Sequence, residues 1–408
     1  MVTFRQQRSR ILFLTTSSTD KFPTIEQRIV VPFHYPVHFT RGLFRGDNSL
    51  LDRFFSPWVT DGRPVKVLAV IDSGVAEHWP AMASMMNAAA RLSKAWTLVS
   101  PPLICSGGEQ SKNDPELLQH LYGHIQDLAI DRHCCVMVLG GGALIDAVGY
   151  VAATAHRGIR LLRLPTTVLA QNDAGIGVKN SVNALGSKNF LGTFSPPAGV
   201  INDFDFLRTL PVRERCAGMA EAIKVALVKD PSFFTWLVAH AAELAQGKEA
   251  QLEHLVYETA KLHLAHIAQG GDPFESGSAR PLDFGHWAAH KLEALTEHRL
   301  QHGEAVAIGI ALDTRYAVAT KMLAPEIGDA VLALIRRLGL PTYDLALEKT
   351  DSHGRPLFIS GLEEFRQHLG GNLCITLLRG VGEGVQVNQM DTEQILAARD
   401  WLKTQSSP

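Results

Sequence analysis

The spacing of hydrophobic residues along the chain changes about halfway. From Val65 to about Asp203 they come as short continuous runs, VKVLAVID, CCVMVLG, IRLLRLP and AGVIND, separated by Gly, Pro or Asn clusters and by segments of helix length. A strand covered on both faces needs such an uninterrupted run, and strands alternating with helices predict a parallel α/β sheet with crossovers. After Pro211 the runs give way to ERCAGMAEAIKVALV, LEHLVYETAKLHLAHIA, GHWAAHKLEAL and GEAVAIGIALDTRYAVATKM, whose apolar positions recur at helical spacing. The pattern predicts an α/β domain over residues 26–205 and an all-helical domain over 206–408, with a substrate cleft between them. Residues 1–25 read as a polar extension, because their apolar piece is too short to span a bilayer and no clear small-residue cleavage site follows. The stretch 341–361 has no clear assignment.

Composition narrows the class. A chain of 408 residues, 46% hydrophobic, can bury a sizeable core. Its formal charge of -2 gives no reason to expect nucleic acid or a membrane as partner, so any positive charge that matters is local. The five cysteines are an odd number without paired zinc-type spacing, which suits reduced, buried thiols in a cytoplasm.

Two groups of residues carry candidate chemistry. The first is GGGALIDAVG, Gly140 to Gly149, directly after the strand CCVMVL. Glycines at a strand-to-helix junction let a ligand approach the backbone, and the free N–H groups of the helix start favour phosphate, although this is not the GxGxxG fingerprint. Asp72 in VIDSG, and Glu109 with Lys112 in GGEQSK, could serve a ribose or simply cap helices. The second group lies in the helical half. Glu221 and Lys224 are three apart in GMAEAIK, His286 and His290 four apart in DFGHWAAHKLE, so each pair shares a helix face, and His302 opens the helix of HGEAVAIG. One carboxylate with two imidazoles is a usual catalytic zinc set that leaves a position open for substrate; these residues could equally be ordinary core or surface groups.

Taken in order, GGEQSK, GGGALIDAVGYVAATAHRGI, LPTTVLAQND, KNSVN, GSKN, LRTLP, GMAEAIK, DFGHWAAH and QHGEAVAIG resemble the 3-dehydroquinate synthases and, more broadly, the sugar phosphate cyclases. The resemblance implies a Rossmann-like NAD domain followed by a helical metal-binding domain, a tightly bound NAD+, a zinc or cobalt ion, and a homodimer. It assigns the metal to Glu221, His286 and His302 and leaves His290 as a catalytic group beside it. It places Asp72, Glu109, Lys112, Gly141, Gly142, Asp146, Thr166, Thr167, Asp173, Lys188, Phe206, Thr209 and Leu210 around NAD. Asp173, Lys179, Lys188, Asn189 and Lys224 fall around the substrate, and Arg157 matches an arginine that reaches the substrate phosphate of a neighbouring subunit.

The implied reaction oxidises a ring carbinol transiently, eliminates phosphate, returns the hydride, opens the ring and closes a carbocycle by intramolecular aldol addition. A Lewis-acidic metal, cations for the phosphate and a histidine relay suit that sequence of charges. The departures bear on substrate. Where the family has an Arg and an Asn before GH, this chain has Ala279 and Asp283, with Arg280 displaced by one residue; a usual Lys is Ala265, and FRQHLGG replaces a lysine pair, leaving Arg366 as the candidate there for the substrate. Fewer cations and an added carboxylate disfavour an acidic substrate. Asp283 suits sugar hydroxyls instead, as in valiolone-forming cyclases that use sedoheptulose 7-phosphate. The competing readings are 3-dehydroquinate synthase proper, a metal-dependent alcohol or polyol dehydrogenase, which would release NADH, and a non-catalytic binding protein.

Overall fold

The computed structural model describes residues 25–185, 187–270, 272–274 and 281–406. The expected extension therefore lies almost wholly outside the described residues, as do Ala279 and Arg280. Residues 25–34 carry no helix or strand, and one compact unit begins at Tyr35.

That unit contains β1 (Val37–Thr40), β2 (Val65–Asp72), β3 (Trp96–Leu98), β4 (Leu103–Cys105), β5 (Cys135–Gly140), β6 (Arg160–Pro165), β7 (Lys179–Ala184), β8 (Ser187–Phe194), β9 (Gly199–Asp203), β10 (Ile375–Gly380) and β11 (Glu383–Val387). The main sheet runs β1-β9-β6-β5-β2-β3, with β4 also on β2, and every pairing in it is parallel. The four continuous apolar runs became β2, β5, β6 and β9, and β5 and β9 are buried throughout. Helices cover both faces. Phe55, Met86 and Trp96 pack with one set of alternate strand residues and Leu121, Ile125 and Leu144 with the other, the arrangement that continuous runs require.

Beyond residue 205 the fold is helical, with an added antiparallel hairpin, β10–β11, that the helical periodicity did not announce. Three of its helices carry the second chemical group: Met219–Lys229, His286–Leu295 and His302–Ala319. Their approach is close. A Cβ on Gly303 would overlap the Ala217 carbonyl, and one on Gly309 would overlap that of Gly285, so two glycines let the His302 helix seat against the segments holding Glu221 and His286. A capping box starts that helix, Gln301 N–H donating to Glu304 at 2.9 Å, and so places His302 in its first turn. The unassigned stretch 341–361 contains two short 3-10 turns, Leu345–Glu348 and Leu357–Ile359.

Candidate active site

The first part of the site forms where parallel strands end. Ile71 pairs with Leu139 and Gly140 with Pro165, so Asp72, Gly141 and Thr166 leave the sheet side by side. Asp72 caps the turn after β2 by accepting from Gly74 N at 2.9 Å, and a Cβ on Gly107 would overlap its carboxylate. Gly141 begins the 13-residue helix Gly142–Thr154 without any side-chain cap. A Cβ on Gly142 would lie 3.0 Å from that of Ala174, while one on Gly141 would meet nothing nearer than Thr167 Cγ2 at 3.5 Å. Uncapped amides facing space that a side chain would fill fit a dinucleotide pyrophosphate.

The remaining residues expected around NAD are placed unevenly. Lys112 is buried and ion-paired with Asp146 at 2.8 Å, with Ser181 Oγ at 3.0 Å and Asn189 Oδ1 as further acceptors, so its charge ties the β7–β8 hairpin to the Gly142 helix. Glu109 likewise accepts from Asn183 Nδ2 at 2.8 Å. Thr167 Oγ1 caps the following turn through Ala170 N at 3.1 Å. Phe206 and Thr209 share the 3-10 turn after β9, followed directly by Leu210; Phe206 is buried against Trp79, whose indole N–H donates to Thr209 Oγ1 at 2.9 Å.

The second part gathers on the three helices. Glu221 is fully buried, and its Oε1, which has no hydrogen-bond donor, stands 3.7 Å from Nε2 of both His286 and His302. The donor atoms of the three residues all lie within 4.8 Å of one another. Ligands about 2.1 Å from a tetrahedral ion stand roughly 3.4 Å apart, so the cluster needs only slight contraction around a dication. Each imidazole is held from behind: Nδ1 of His286 faces the Phe284 carbonyl at 3.2 Å, and Nδ1 of His302 faces Glu293 Oε2 at 3.2 Å. Burial pushes the Glu221 carboxyl up to about 7 despite the Lys224 ammonium beside it, the behaviour of a carboxylate lacking a full countercharge. Burial also drives the His286 imidazole well below its ordinary value, with Lys224 acting in the same direction, which favours the neutral, ligating form.

Around this cluster stand the other candidates. Asp173 lies on a π-helical turn, Ala170–Ala174, with Oδ1 3.1 Å from His263 Nδ1. Burial opposes its charge, but His263 first and then Lys224, His302 and Lys179 outweigh it and hold the carboxyl at about 2. Asp283 ends a 3-10 turn three residues before His286, and its charge acts on Lys224. The His290 ring lies 5.5 Å from His286 and 6.1 Å from His302, centroid to centroid. Lys188, on β8, reaches Glu293 Oε1 at 2.6 Å, while neighbouring Asn189 adopts a left-handed φ of 55° and binds Lys112. The turn and hairpin bearing Asp173 and Lys179 are fixed by Arg163, which is wholly buried and donates to the carbonyls of Gly175 (3.2 Å), Gly177 (2.8 Å) and Lys179 (2.9 Å) and to Asn180 Oδ1 (2.7 Å).

Arg157 and Arg366 complete the expected set. Arg157 follows the far end of the Gly142 helix, about 20 Å along its axis from the glycines, in left-handed backbone with His156. Arg366 is held by Glu363 and the Gly371 carbonyl on the helix Ser360–His368. Two residues were missed. Glu293 is three past His290 and seven past His286, hence on their helix face, a spacing legible in HWAAHKLE. His263 had no such signal, since only the fold brings the helix Glu249–Gln269 to Asp173.

Residues 102–217 match the family described as 3-dehydroquinate synthase N-terminal, and residues 218–353 match 3-dehydroquinate synthase C-terminal. A 2-epi-valiolone synthase of Actinosynnema mirum is 33% identical over 89% of this chain and 91% of its own length. A 3-dehydroquinate synthase of Xanthomonas campestris pv. campestris is 34% identical over 81% and 88% respectively. The structure of a 2-epi-5-epi-valiolone synthase from Streptomyces hygroscopicus subsp. jinggangensis, with NAD+ and Zn2+ bound, superimposes with a TM-score of 0.83 at 28% identity, over 93% of this chain and 100% of that one.

Proposed function

This chain belongs to the 3-dehydroquinate synthase family and is a sugar phosphate cyclase, and from that premise we propose that it cyclises a ketose phosphate with an uncharged head, such as sedoheptulose 7-phosphate, using NAD+ and a zinc or cobalt ion. The observation that carries the substrate reading is Asp283. Its carboxylate acts on Lys224, beside the Glu221, His286 and His302 cluster, and a carboxylate-headed substrate would bring a like charge into that partly desolvated space. An unpaired buried charge costs several kcal/mol, whereas a sugar hydroxyl donates to the same carboxylate.

In this reading Glu221, His286 and His302 hold the metal, and the strand ends with Gly141, Gly142 and Asp72 hold the dinucleotide. NAD+ supplies a reversible hydride acceptor, and the metal supplies a Lewis acid for the carbinol and carbonyl oxygens. The protein's own groups do the rest. Lys179 and Lys188 at the β7–β8 hairpin attract the departing phosphate. His290 takes and returns the hydroxyl proton, a role suited to imidazole. Asp173, kept ionised by His263 and Lys224, accepts from substrate hydroxyls and fixes the ring's orientation.

The same reading divides the chain into an NAD domain over 26–205 and a metal and substrate domain over 206–408. It makes the enzyme a homodimer, as the family resemblance implies, with Arg157, about 20 Å along its helix from the glycines, offered to a neighbouring copy. All five cysteines are free thiols, which supports a reducing, cytoplasmic setting. The test compares kcat/KM for phosphate release from sedoheptulose 7-phosphate and from the acidic dehydroquinate precursor, in the native protein and in the Asp283→Asn, Ala279→Arg double variant. The native protein should prefer the neutral-headed sugar and the variant should gain on the acid. A native preference for the acid would defeat the substrate reading.

A further inference from the structure

Glu293 has no part in the chemistry described so far, yet it is 2% exposed and both of its oxygens are engaged. Oε2 meets Nδ1 of His302 at 3.2 Å, and Oε1 meets the Lys188 ammonium at 2.6 Å. One buried carboxylate therefore touches a residue of the metal cluster with one oxygen and a hairpin lysine with the other. The two clustered imidazoles are not treated alike. His286 is held at Nδ1 by a backbone carbonyl, which no side-chain change can remove, whereas His302 is held by a charged side chain that itself depends on β8.

We propose that Glu293 is a positioning residue that fixes the tautomer and ring angle of the metal ligand His302 and couples that ligand to Lys188 on the phosphate-facing hairpin. A carboxylate at Nδ1 keeps the proton there, leaving the Nε2 lone pair aimed at the Glu221 side, and raises the basicity of the imidazole as a ligand. Because the opposite oxygen binds Lys188, movement of that lysine toward a substrate phosphate changes the field felt by His302. This rests on Glu221, His286 and His302 being the metal ligands. A second possibility is tested alongside: His290, Glu293 and His302 also place donor atoms within 4.8 Å of one another, so Glu293 could itself be a ligand.

The experiment measures metal binding rather than turnover. Zinc affinity is obtained by competition with a chromophoric chelator, and the visible spectrum is recorded on the cobalt(II)-loaded protein, for the native chain, Glu293→Gln, Glu293→Ala, Lys188→Met and Glu221→Gln. Carboxylates behind ligating histidines are typically worth about 10- to 100-fold in metal affinity, so Glu293→Ala should lose that much and shift the cobalt bands. Glu293→Gln, which still offers an oxygen to Nδ1–H and is close to the native shape, should lose less than the alanine variant. Lys188→Met should weaken zinc binding by less again while raising KM for the sugar phosphate. Native zinc affinity and an unchanged cobalt spectrum in both Glu293 variants would reduce Glu293 to a packing role and overturn the proposal. A loss in Glu293→Ala equal to that in Glu221→Gln, with the cobalt bands of a centre lacking one ligand, would make it a ligand and also overturn it. Native affinity in Glu221→Gln would instead reject the underlying metal assignment.

Discussion

Arg163→Met tests whether the site is held in place from inside the N-terminal half. Its guanidinium is wholly buried and makes four hydrogen bonds, three of them to the alternate backbone carbonyls of Gly175, Gly177 and Lys179 and one to the Asn180 side chain. Methionine fills much of the volume but leaves those four acceptors without donors. Each unsatisfied buried acceptor costs about 1–3 kcal/mol. The native state is relieved in exchange of burying a charge whose Nε has no partner and whose ionisation burial already disfavours. Breaking such a buried polar network usually costs about 3–5 kcal/mol net, and that is the expected fall in unfolding free energy by urea titration. Function should fall separately, because Asp173 and Lys179 sit on the segment Arg163 clamps, and a displacement near 1 Å at a reacting centre can lower the rate about 100-fold. Arg163→Lys, which keeps the charge but fewer bonds, should fall between. A loss below about 1 kcal/mol with unchanged kcat/KM would show that the segment holds its shape without the clamp.

Other expectations follow from single contacts. Asp313 is fully buried, accepts from Trp287 Nε1 and Gly285 N, and burial raises its carboxyl from 3.8 to about 7. Because the folded state keeps a proton that the unfolded chain releases, native stability should decline between pH 4 and 7 and then level. At ~1.4 kcal/mol per pH unit the decline is at most about 4 kcal/mol, and Asp313→Asn should remove that part of the slope in urea titrations; an unchanged slope would refute it. Glu221→Gln should abolish stoichiometric zinc retention after dialysis, measured by elemental analysis, since it removes the buried charge facing both imidazoles. Gly309→Val should force the His302 helix from the Gly285 carbonyl, lowering zinc affinity and melting temperature together; native values for both would contradict the close-approach argument.

The strands that could be read in advance share a physical reason. β2, β5, β6 and β9 announced themselves because strands buried on both faces must be continuously apolar, whereas Glu221, His286 and His302 lie on three separate helices and were grouped by the family resemblance, since spacing along one helix cannot relate them. β1 gave no such signal, being a half-buried edge strand of 4 residues. β7 and β8 pair with each other outside the main sheet, and β8 is largely exposed, so KNSVN and SKNFLGTF lack the apolar run. The hairpin β10–β11 was hidden within a region of helical periodicity. Lys112 was legible as a polar residue in GGEQSK and Asp146 only through the family resemblance, and their mutual ion pair depends on two elements 34 positions apart. His263 is a further case, because its meeting with Asp173 is made by tertiary contact alone.

The central claim is that the hydride removed from the substrate comes back to it. Metal-loaded protein with stoichiometric NAD+ should be mixed with sedoheptulose 7-phosphate, with inorganic phosphate and absorbance at the NADH band followed on the same sample. Phosphate released over many turnovers while the NADH band returns to its baseline is the expected result. NADH accumulating in step with substrate consumed, without phosphate, would mean a dehydrogenase and contradict the account.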